Sequence, residues 1–212
     1  ETFDAQANPV ILAVGGNDVF EGAVTGSGAW AKTGPGTLTL AGESTATGPL
    51  AVQSGAFGVA AGGTATLGPV SVAAGATLFG DGRVGGTVAV ASNAWLAAGT
   101  PAAHGVLHVG ADLALAPGAK PLWRFSAAER DAFTVGGKLI LPATGVLYAQ
   151  ALTPGTRPPA KAPLFTSAQV IDGPAELTGW TVDGLENARL VYSADLKTIY
   201  FSYPSGTVIS IR

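Results

Sequence analysis

Leu50-Ala-Val-Gln-Ser-Gly-Ala-Phe-Gly-Val59, Val70-Ser-Val-Ala-Ala-Gly-Ala-Thr-Leu-Phe79, Val88-Ala-Val-Ala-Ser-Asn-Ala-Trp-Leu-Ala97 and Leu107-His-Val-Gly-Ala-Asp-Leu-Ala-Leu-Ala116 are four versions of one short pattern. Its second apolar position steps from Val52 to Val72, Val90 and Val109, intervals of 20, 18 and 19 residues. A period that short, carried by alternating residues, predicts a solenoid of strands. Val52, Val72, Val90 and Val109, with Leu50, Val70, Val88 and Leu107 two residues before them, should point to one side of each strand and stack as aliphatic ladders. Ala51, Ser71, Ala89 and His108 fall between and suit an outer face. Three residues after each valine stand Gly55, Gly75, Asn93 and Asp112. These residue types tolerate positive φ best, so a left-handed corner is expected there.

Composition agrees with a strand-rich chain. Of 212 residues, 31 are glycine and 14 proline, 47% are hydrophobic and only 12% charged. That excludes a charged disordered tail. No stretch sustains a period of 3.6, which argues against a helical bundle. The net charge is −3 with no cluster of Lys or Arg, so nucleic acid is not an expected partner. No apolar run reaches membrane-spanning length, so direct membrane insertion by this chain is not expected either. The lack of cysteine removes disulfides and thiolate metal sites. The chain begins at Glu1 without a signal peptide and is taken as a mature or excised fragment.

The stretch from Gly22 to Gly55 resembles a known family. It contains Trp30-Ala-Lys-Thr-Gly-Pro-Gly-Thr-Leu-Thr-Leu40, then Ala-Gly-Glu-Ser-Thr-Ala-Thr-Gly48, then Leu50-Ala-Val-Gln-Ser-Gly55. The pattern is similar to the autotransporter-associated β-strand repeat of Gram-negative passenger domains. Gly26, Gly28, Lys32, Gly34, Gly36, Thr37, Leu38, Leu40, Gly42, Gly48, Val52 and Gly55 match it. Ser44 and Ala46 depart, standing where the family has asparagine and tyrosine, which removes a turn-capping side chain and a stacking ring. Leu78–Val88, Leu96–Pro101 and Asp131–Leu139 resemble segments that follow such repeats, so the likeness covers roughly residues 9 to 149. It implies an all-β fold, a right-handed parallel β-helix, and a chain secreted or held at the cell surface of a Gram-negative bacterium. It implies nothing about a substrate.

The helix is expected over 1–150 in coils of about 19 residues. Residues 151–163 are proline-rich, and parallel coils are not expected to pass through them. Residues 164–212 then form a small mixed or antiparallel β cap, with a hairpin loop at Ser193–Lys197, closing the last coil's open cross-section.

Chemistry is sparse. His104 and His108 are four apart, but only Asp112 stands nearby as a third ligand, so no metal is expected. Asp81, Asp172 and Asp183 each precede glycine, which turn preference explains. No nucleophile elbow, acid-protease triplet or phosphate loop occurs, so no catalytic residue and no cofactor is expected. The densest mix of ring and charge is Trp123-Arg-Phe-Ser-Ala-Ala-Glu-Arg-Asp-Ala-Phe133. Trp123, Arg124 and Arg130 are its candidate ligand contacts, although filling a wider coil explains them better. The expected function is a non-enzymatic passenger segment, a stalk and folding scaffold whose partners are the neighbouring passenger or barrel domains. A glycan- or mucin-binding adhesin, with Trp30, Trp95, Trp123 and Trp180 as stacking platforms, is the alternative. A carboxylate-dependent hydrolase of host glycoprotein comes third.

Overall fold

The computed structural model describes residues 2–4, 9–156, 158 and 162–202. Within them the chain is an all-β solenoid of about six turns with a mixed sheet at its C-terminal end. Three sheets run along the stack. The first joins Val10–Ala13, Trp30–Thr33, Leu50–Val52, Val70–Val72, Val88–Val90, Leu113–Leu115 and Leu139–Ile140. The second joins Asn17–Phe20, Thr37–Leu40, Ala56–Val59, Thr77–Gly80, Trp95–Ala98, Lys120–Phe125, Gly145–Ala151 and Trp180–Asp183. All neighbours in these two sheets pair parallel. The third begins with parallel Arg83–Val84, Val106–Val109, Ala132–Val135 and Pro163–Ser167. It ends with the antiparallel strands Thr198–Ser202 and Arg189–Tyr192.

Alternation along each strand builds the core. Leu50, Val70 and Val88 form one ladder and Val52, Val72 and Val90 the next, with Cα atoms in register and side chains at most 2% exposed. Burying each such side chain contributes about 1.5–3 kcal/mol. Ala51, Ser71 and Ala89 face outward between them. The corner after this sheet is left-handed at Gly55 (φ 67°), Gly75 (80°) and Asn93 (61°). It is also a hydrogen-bonded ladder, with Gly75 N–H donating to Asn93 O and Asn93 N–H to Gly118 O.

The fourth expected rung is a correction. Val90 pairs with Leu115 and Val88 with Leu113, so Leu107 and Val109 are not in this ladder. Val109 belongs to the third sheet, between Val84 and Val135, and His108 lies between Arg83 and Thr134. Asp112 lacks positive φ, and Gly118 (φ 80°) takes the corner instead. The cause is a wider coil. Equivalent first-sheet positions step by 18 residues from Val70 to Val88 but by 25 from Val88 to Leu113, because a loop at 99–105 is inserted. Asp112 is used otherwise: its Oδ1 accepts from Lys138 N–H at 2.7 Å.

Parallel pairing also continues past residue 150, contrary to expectation. Pro163–Ser167 pairs parallel with Ala132–Val135, and Trp180–Asp183 with Gly145–Ala151. The prolines lie in the connection, and Pro163 opens its strand, where a missing N–H costs no ladder bond. Among the described strands, antiparallel pairing involves Thr198–Ser202, which pairs so with Pro163–Ser167 and, in a hairpin around Ser193–Lys197, with Arg189–Tyr192. Tyr203 and the segment to Arg212 lie outside the described residues, as does part of the proline-rich stretch.

Candidate functional site

The segment singled out for its rings and charges folds mostly inward. Trp123 is 0% exposed, its indole N–H donating to Asp131 O and its rings packed on Phe125 and Phe201. Arg124 is 3% exposed. Its Nε donates to Asp131 Oδ2 at 2.9 Å, and its two terminal nitrogens donate to the carbonyls of Ala98 and Thr100. Trp123 is thus closed off inside the coil, and Arg124, which borders a depression on the second sheet, has its guanidinium committed to these bonds. The wider coil needs them: Trp123 fills it, and Arg124 ties the inserted loop to the strand beneath. Asp131, fully buried, also accepts from Gly105 N–H and Arg124 N–H, both at 3.1 Å. Burial pushes its carboxyl above the usual aspartate value, while Arg124 and the two backbone donors pull it back. A buried pair held by this many bonds is costly to break from one side.

His104 stands beside this pair, Nδ1 3.7 Å from Asp131 Oδ1 and without a hydrogen-bond partner. With Glu129 and Arg130 it lines a shallow cleft of about 400 Å³ that also touches Pro163. Of the three candidate contacts, Arg130 borders this cleft and Arg124 borders a depression on the second sheet, while Trp123 reaches neither. His108 faces out on the third sheet, its Nδ1 bonded to Thr134 Oγ1. His104 thus borders the cleft at the strand entry, while His108 is engaged with Thr134 further along the strand. Among the described residues no three His, Asp or Glu side chains gather as a metal site would need, and no helix is long and apolar enough to cross a membrane, which says nothing of a β-barrel.

Lys32 was legible only as part of a motif, yet it is the most buried charge in the N-terminal coils, at 0% exposure. Its ammonium donates to Gly34 O (2.8 Å), Ser54 O (2.8 Å) and Gly36 O, so all three protons are used. Desolvation pulls its pKa below the ordinary lysine value. The ammonium thus bonds the corner carbonyls of two successive coils. Ser44, standing where the resembled pattern has asparagine, still caps its turn: Oγ donates to Val24 O at 2.6 Å and accepts from Ala46 N–H at 3.2 Å. Thr66 repeats the arrangement one coil on.

The four tryptophans separate by burial. Trp30, Trp123 and Trp180 are at most 6% exposed, which removes them as platforms. Trp95 alone is half-exposed, on the second sheet.

The two ends of the solenoid differ. Among the described residues, Val10–Ala13 and Asn17–Phe20 end the first and second sheets on the N-terminal side. Between them the core opens through a mouth of about 290 Å³ lined by Phe3, Leu12, Phe20, Trp30, Leu40 and Phe57 among others. Trp30 Nε1 is buried there without a partner. At the far end Leu177, Leu190, Ile199 and Phe201 cover the core. No protein-family model matches the chain, and a search of the curated proteins finds no match.

Proposed function

We propose that this chain is a non-enzymatic segment of a longer β-solenoid passenger, secreted or surface-bound in a Gram-negative bacterium, acting as stalk and folding scaffold. The observation that carries this reading is the difference between the ends. Among the described residues the core is covered at the C-terminal end and open at the N-terminal one, which fits a solenoid whose coils continue on the N-terminal side. Each coil contacts only its neighbours, so a coil that has formed templates the next. Folding that starts at the closed end would draw the rest of the chain outward during export. Asp131, the most deeply buried acid, is spent on Arg124 and backbone donors, which favours a scaffold over a hydrolase.

Pulsed hydrogen exchange during refolding tests this. Amides in the coils from Leu113 to Asp183 should become protected before those from Val10 to Leu40. Protection that begins at Val10–Leu40 would overturn the proposed direction of folding.

A further inference from the structure

The outer face of the second sheet is unlike the other long face. Outward positions on the first sheet are Ile11, Ala31, Ala51, Ser71, Ala89 and Ala114, with no ring among them. On the second sheet Trp95 and Tyr148 rise from strands on either side of Lys120–Phe125 and meet over it. Their ring centroids are 5.0 Å apart at an interplanar angle of 53°. Lys120 Nζ sits 5.3 Å from the centre of the Trp95 ring. Phe79 lies further along, its ring over Gly58, where a Cβ would collide with it. Two depressions, about 270 and 550 Å³, adjoin these rings and share Leu122 and Gln150. Together they run from Thr39 across Phe79 and Gln150 to Asp183. Seven strands at about 4.8 Å apart make that path roughly 30 Å long.

The geometry points to a binding trough for a neutral oligosaccharide. Beyond the scaffold reading, and independent of it, this gives the stalk a ligand. A pyranose offers an apolar C–H face and a rim of hydroxyls that both donate and accept. The trough offers rings for the first, and for the second an acceptor (Asp183) and groups that both donate and accept (Gln150 and the hydroxyls of Thr39 and Thr77). The charged residues lining the two depressions are Arg124, its guanidinium already bonded to Asp131 and two carbonyls, and Asp183, which fits an uncharged ligand better than an acidic or basic one. The rings are tilted, so they do not cover each other's faces, and both border the smaller depression. Spanning several rungs, the trough accommodates a chain of sugars rather than one.

Titration of the full chain with cellotetraose, chitotetraose and maltotetraose, by calorimetry and tryptophan fluorescence, tests the assignment. At least one should bind saturably with a Kd of about 1 mM or tighter. Trp95→Ala and Tyr148→Ala should each weaken it about ten-fold, the worth of one stacked ring. Gln150→Ala, which disturbs no packing, should weaken it several-fold, and Ile11→Ser on the first sheet should not. No binding of all three sugars, or binding that survives Trp95→Ala with Tyr148→Ala, would overturn the proposal. So would self-association of the chain lost in Trp95→Ala, since a second copy would then own the face.

Discussion

Gly55→Ala should be far more damaging than Gly75→Ala, although both glycines hold the same corner with positive φ. For either, an L side chain in the left-handed region costs about 1–2 kcal/mol. At Gly75 nothing lies within 4 Å of an added Cβ, so that strain is the whole cost. At Gly55 the Cβ would sit within 3.0 Å of Lys32 Nζ and of the carbonyl oxygens of Gly34 and Gly36. The ammonium must leave the carbonyls that take its three protons. Each such charge-assisted bond is worth about 1.5–3 kcal/mol, and an uncompensated buried charge costs about 3–5. The total for Gly55→Ala is thus about 4 kcal/mol or more, against 1–2 for Gly75→Ala. Urea melts of the two variants measure the difference. Exchange of the Gln53 and Ala56 amides, which bond Lys32 O and Gly36 O, localises it. Equal costs at both positions would refute the claim that the lysine cage, rather than the corner, sets the price.

Gly75→Val should likewise lose only the strain of its φ, about 1–2 kcal/mol, with no damage spreading to neighbouring coils; a larger loss in a thermal melt contradicts the open space above that corner. Arg124→Met and Asp131→Leu should each destabilise by about 3–5 kcal/mol, and the double variant by less than either, because removing both partners leaves no orphan charge; a double variant as damaged as the summed singles would show that the pair is not coupled. Lys32 titrates below the ordinary lysine value of 10.5 when folded. Between those two values the unfolded chain binds more protons, so stability rises with pH there, and Lys32→Met should flatten that slope in melts as pH rises toward 10.5. Asp81→Asn and Glu129→Gln should leave the melting temperature unchanged, since no fold-bearing bond from either side chain supports a coil.

Three rungs of the first ladder were legible because Val52, Val72 and Val90 lie in coils of nearly constant length. Alternation and the glycine corner then mark the same face. The period fails where the coil widens. Val109 keeps the apolar alternation of the earlier copies, but the inserted loop at 99–105 moves it to another sheet. Asp112 shifts with it, and the corner falls at Gly118, which follows Pro117 as an ordinary-looking turn. Arg124 reads as a surface charge in any local pattern. Its burial depends on Asp131 and on carbonyls 24 and 26 residues away, which no short window contains. Trp95 and Tyr148 are 53 positions apart in sequence, and only the stacking of the coils brings their rings together.

Cysteine pairs placed on outward positions test the stacking most directly, because the chain has no cysteine of its own. Partners on adjacent parallel strands lie about 4.8 Å apart, within reach of a disulfide. Ala89→Cys with Ala114→Cys should cross-link on oxidation, as should Arg83→Cys with His108→Cys, since both pairs are in register. Ala89→Cys with His108→Cys should not, because those residues sit on different sheets. Cross-linking of Ala89 to His108 in place of Ala114 would restore the uniform 19-residue period and contradict the widened coil on which the account of this solenoid rests.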